Sequence, residues 1–172
     1  MTKTGPLRFC VAFIALYALL MGAFEASRGT SFERFVVEDV VLRPTIWLIN
    51  ATTPPPSVEL IGRSISGDGA RLHVTRGCEG IEMFLMLIAA VVAFPTTLER
   101  RAQGLLVGAA LAYALSIARL VALDWTLRFS PRAWDTLHGL ILPIGPIVLL
   151  ALFFLRWSRR ATSGPKLLPR AA

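Results

Sequence analysis

Four apolar runs, at 7–24, 81–94, 104–123 and 137–157, constrain this chain more than any other feature. A hydrocarbon core of about 30 Å needs roughly 20 helical residues, and each run except the second reaches or approaches that length. The second is long enough only if it begins near Gly77 and continues past Pro95. The expected fold is therefore an all-α integral membrane protein. It has about four transmembrane helices, near 7–24, 77–97, 103–123 and 137–157, in a single membrane-embedded domain over 1–172. Composition agrees, with 55% hydrophobic residues and a mean hydropathy of +0.62. The net charge of +7 would also admit nucleic acid. The lysines and arginines, however, flank apolar segments instead of forming a basic domain with exposed aromatics, so the expected surroundings are membrane lipids and no nucleic acid.

The first run follows Lys3 and Arg8 but precedes no clear small-residue cleavage site before Glu25, which reads as an uncleaved anchor. Basic residues near span ends orient a chain toward the cytoplasm. Lys3, Arg8, Arg100, Arg101, Arg156, Arg159, Arg160, Lys166 and Arg170 then belong inside, opposed only by Glu99. The segments 25–76 and 124–136 fall outside. Cys10 and Cys78 lie near opposite faces in this topology, so no bridge joins them.

The outer segment 25–76 has its own pattern. Polar and apolar residues alternate over 57–65 and 71–75 around Gly67-Asp68-Gly69, which predicts a small β-hairpin leading to Cys78. Upstream, Ser31 is placed to cap a helix over 32–42 that Pro44 breaks or kinks, an interfacial helix on the outer leaflet. Glu38, Asp39 and Arg43 argue against its crossing the membrane as a fifth, re-entrant segment. Pro54-Pro55-Pro56 reads as a stiff spacer.

Three polar residues then share one depth. Cys78 opens the second span, where the helix dipole favours a thiolate. Arg119 lies about one turn before the outer end of the third span, and His138 lies in the first turn of the fourth, three residues after Asp135. Each has a plain alternative: Cys78 as a small packing residue, Arg119 as a snorkelling cation, His138 as a helix-start hydrogen bonder. An arginine among apolar residues costs about 2.5 to 3.5 kcal/mol to insert, which asks for a reason. Together the three groups suffice for acyl transfer: a thiolate attacks a carbonyl, an imidazole moves protons and a guanidinium steadies the oxyanion. Two histidines and one thiol at irregular spacing are a weak metal pattern, so no metal and no cofactor are expected. Glu79 and Glu82 are expected to face water, a substrate group, Arg76 or Arg119, since a carboxylate facing the thiol would oppose its ionisation.

Arg76-Gly77-Cys78-Glu79-Gly80, Ser116-Ile117-Ala118-Arg119-Leu120 and Leu137-His138-Gly139 resemble, in order and placement, the Cys, Arg and His motifs of the exosortase and archaeosortase superfamily. The resemblance covers about 57–157. It departs from the family at Glu79, where a small Ser or Asn is common, and at Ser116, where an Asn is common. The length suits a compact branch such as the one called exosortase H. The resemblance implies a membrane cysteine protease or transpeptidase in the cytoplasmic membrane with its site facing outside. Its partners would be exported proteins with a C-terminal sorting signal: a short motif, a transmembrane helix and a basic tail. Cys78 would be the nucleophile, Arg119 the oxyanion or substrate-positioning group and His138 the proton-transfer partner. The residues also admit a non-enzymatic membrane scaffold or assembly factor whose Arg119 and His138 bind a partner helix or a lipid headgroup.

Overall fold

The computed structural model describes residues 4–53, 57–67, 70–75, 77 and 79–162. Helix α1 spans Thr4–Ala26; a turn leads to α2 (Ser31–Arg34), which continues through a π-helical segment, Phe35–Leu42, into α3 (Arg43–Thr52). Strands β1 (Glu59–Ile61), β2 (Ser64–Gly67) and β3 (Ala70–His73) precede α4 (Ile81–Ala93) and α5 (Leu98–Phe129). A 3-10 turn (Pro131–Ala133), α6 (Trp134–Thr136), a π-helical segment (Leu137–Ile141) and α7 (Leu142–Thr162) complete the described elements. Three helical stretches, Gly5–Ala26, Leu98–Phe129 and Pro131–Ala161, are long and apolar enough to cross a membrane.

The second apolar run gives a shorter helix than a 77–97 span requires. With 13 residues, α4 is about 20 Å long. It starts after Gly80, held at φ 79°, and stops at Phe94, whose extended backbone is the conformation a following proline imposes. Helix α5 is longer than 103–123 at both ends: 32 residues, or about 48 Å. The charged residues that suggested loops are absorbed into it. Arg100 and Arg101 lie in its first turns, and Asp124 pairs with Arg128 at 3.0 Å, both side chains almost fully buried.

The outer segment also differs in detail. The sheet is a three-stranded antiparallel meander, because Gly62 and Arg63 turn the chain within the stretch expected to be one strand. Ser64 pairs with His73 and Ile65 with Leu72. Thr30, not Ser31, caps α2 by accepting from the Glu33 N–H. Pro44 does not break the helix, because it falls in the first turn of α3 and the π-helical register before it absorbs the change. Asn50 clamps α3 to the strand layer, donating to Val58 O at 3.0 Å and accepting from Val58 N at 2.8 Å. The Pro54-Pro55-Pro56 spacer and the Asp68-Gly69 turn fall outside the described residues.

Two apolar cores follow. One lies under the sheet and joins Val37, Leu42, Ile49, Ile65, Leu72 and Val74 to Leu120 and Leu123 of α5. The other lies among the long helices, where Met83, Leu87 and Val91 of α4 meet Ala112 and Leu150. Arg119 sits where α5 passes from one to the other.

Candidate active site

The site is built around the loop between β3 and α4. Gly80 lets this loop lie directly on α5: a Cβ there would stand 2.1 Å from Ser116 Oγ. Ser116 donates its hydroxyl back to Ala112 O at 2.9 Å. One turn further along α5, Arg119 is 9% exposed and donates from Nη1 to Gly77 O at 2.9 Å. A snorkelling arginine would send its charge to the headgroups, whereas this one turns onto the loop. Its buried Nε has no hydrogen-bond partner among the described residues. Cys78 and Arg76 are themselves outside the described residues, but the loop residues Gly77 and Gly80, on either side of Cys78 in the sequence, both rest on α5.

His138 lies in the π-helical segment before α7, not in a regular first turn, and stacks on Trp134 with ring centroids 5.0 Å apart and planes 9° from parallel. It lines a cavity of about 330 Å³ with Leu120 and Leu123 of α5 and with His73 of β3. No hydrogen bond joins Arg119 to His138 among the described residues. The structure brings His138 beside the stretch of α5 that carries Arg119, and it adds His73, whose Nδ1 is 3.0 Å from Ser64 Oγ. His73 falls in the alternating stretch 71–75 and lies on β3; its sharing a cavity with His138 depends on a sheet register that the pattern alone leaves open.

Two of the surroundings expected for Glu79 do not hold. It faces neither water nor Arg119 but is 3% exposed and paired with Arg63 at the β1–β2 turn. Arg63 also donates to Glu33 of α2 at 2.9 Å, and Glu33 accepts from Gly29 N at 2.7 Å. Arg28 joins Glu33 at 3.7 Å to Glu25 at 2.5 Å. One chain of charges thus runs from the end of α1 through α2 and the sheet to the residue after Cys78. Burial raises the Glu79 pKa, with Arg63 and Arg28 pulling against it. The Gly29 N–H holds the Glu33 pKa below the ordinary glutamate range against the effect of burial, helped by Arg63. The Arg63 backbone carbonyl accepts from Val74 N at 3.0 Å, so this residue anchors the sheet as well.

No protein-family model, curated protein or solved structure matches this chain. Its functional reading therefore rests on its own residues.

Proposed function

We propose that the protein is a membrane cysteine protease or transpeptidase of exosortase type, with Cys78 as nucleophile, Arg119 as the oxyanion or substrate-positioning group and His138 as the proton-transfer residue. The observation that carries this reading is the buried guanidinium of Arg119, which holds the carbonyl of Gly77, the residue before Cys78 in the sequence. A fixed donor beside a nucleophile-bearing loop is what stabilisation of a developing oxyanion requires. His138 contributes an imidazole on a cavity bordered by the same helix. In this reading α4 is a fourth, recessed crossing, Cys78 lies at the outer leaflet, and the exported substrate's C-terminal anchor is cleaved there through a thioester. The acyl group then passes to water or an envelope amine.

Co-expression with a membrane-anchored candidate substrate tests the proposal. Cys78→Ala is expected to insert normally and leave the substrate uncleaved; normal cleavage by that variant rules out the nucleophile. The scaffold alternative, in which Arg119 and His138 bind a partner, instead expects Cys78→Ser to keep full function.

A further inference from the structure

We propose that the cleft between the start of α5 and the end of α7 binds one anionic phospholipid, its phosphate in a basic mouth and an acyl chain along an apolar wall. The cleft has a volume of about 520 Å³, and its mouth is lined by Arg100, Arg156 and Arg160, with no carboxylate among the described residues that line it. Arginine in the first turns of a helix opposes the positive end of the helix dipole. Arg100 is held there because it donates to Arg160 O at 3.0 Å and Ala161 O at 2.6 Å, the negative end of α7. That leaves the guanidinium groups of Arg156 and Arg160 around one opening. Mutually repelling cations are relieved by a bound anion.

The wall is equally defined. Trp157 donates from Nε1 to Arg100 O at 3.2 Å, which fixes the indole across the cleft. Gly104 makes room for it, since a Cβ there would stand 2.4 Å from the indole ring. Val107 and Phe153 continue the apolar surface away from the arginines. A lipid phosphodiester with its chain satisfies both halves, whereas free phosphate would leave the wall in water. Basic pockets between membrane helices are suited to anionic headgroups for this reason.

Native mass spectrometry of the full chain in detergent, titrated separately with phosphatidylglycerol, phosphatidylcholine and inorganic phosphate, tests the site. Phosphatidylglycerol should be retained, phosphatidylcholine should not, and inorganic phosphate should fail to displace the bound lipid. The double variant Arg156→Gln/Arg160→Gln should weaken phosphatidylglycerol binding about thirtyfold. Val107→Trp keeps the charge but fills the wall and should weaken it about tenfold. Equal retention of phosphatidylcholine, displacement by phosphate, or wild-type binding by either variant overturns the proposal.

Discussion

At the end of the bundle capped by the sheet, three buried or half-buried arginines are each tied to a partner within the protein. Arg63 holds Glu33 and Glu79, Arg119 holds Gly77 O, and Arg128 holds Asp124. At the opposite end, Arg156 and Arg160 are exposed around an open cleft with no carboxylate among the described residues of its lining. The same side chain therefore serves two ends. Where it is buried, desolvation is tolerable only with fixed partners, and the result is a rigid arrangement fit for positioning reacting atoms. Where it stays wet, it contributes charge without fixed geometry, which suits attraction to an anionic surface.

The contrast is sharpest at Arg119. Arg119→Met removes a costly charge from an apolar helix, so the folded protein should survive heating at least as well as the wild type. Substrate cleavage should nevertheless fall by about 10² to 10³, and Arg119→Lys should recover little, because a point charge does not replace the planar fork. Thermal unfolding in detergent alongside a cleavage assay separates the two effects. Loss of stability without a matching loss of activity per folded molecule would make Arg119 structural.

Arg63 should behave oppositely. Arg63→Ala leaves Glu33 and Glu79 buried without their shared cation, at a cost of about 3 kcal/mol. Hydrogen exchange should rise across the sheet and α2 while the long helices stay protected. Uniform exchange across both regions would show that the cap has no stability of its own.

The two glutamates give smaller effects of opposite sign. The Glu33 pKa is lowered, so its contribution is complete above the ordinary value of 4.5 and is lost as pH falls through its native value. The Glu79 pKa is raised, so its contribution declines as pH rises from 4.5 through its native value. Glu33→Gln should therefore flatten the acid limb of cap stability below 4.5, and Glu79→Gln the slope just above it. Unfolding midpoints across acidic pH would check both. Smallest of all, Arg156→Gln should change the unfolding midpoint by the equivalent of less than about 0.5 kcal/mol, because its side chain is exposed.

The apolar runs made three long helices legible in the sequence, and the outer segment's helix and small sheet were legible too, since length and alternation report burial directly. The ends of these elements were less legible, for electrostatic reasons. Asp124 and Arg128 look like loop residues by charge, yet their spacing of four lets them pair on a helix and be buried together. Arg63, Glu33 and Glu79 are spread across three elements, and only the extra turn at Gly62 brings them together. Arg119 stood out because no apolar helix carries an arginine without cost. Its acceptor did not, because Gly77 O is a backbone atom with no residue-type signature.

Mass spectrometry of the full chain, trapped during turnover of a co-expressed anchored substrate, tests the proposal that the loop held by Arg119 presents a nucleophile. An acyl adduct is expected on Cys78, its mass giving the cleaved fragment, absent in Cys78→Ala and strongly reduced in Arg119→Met. Cleavage of the substrate that proceeds in Cys78→Ala, with no adduct on the wild-type thiol, would contradict it.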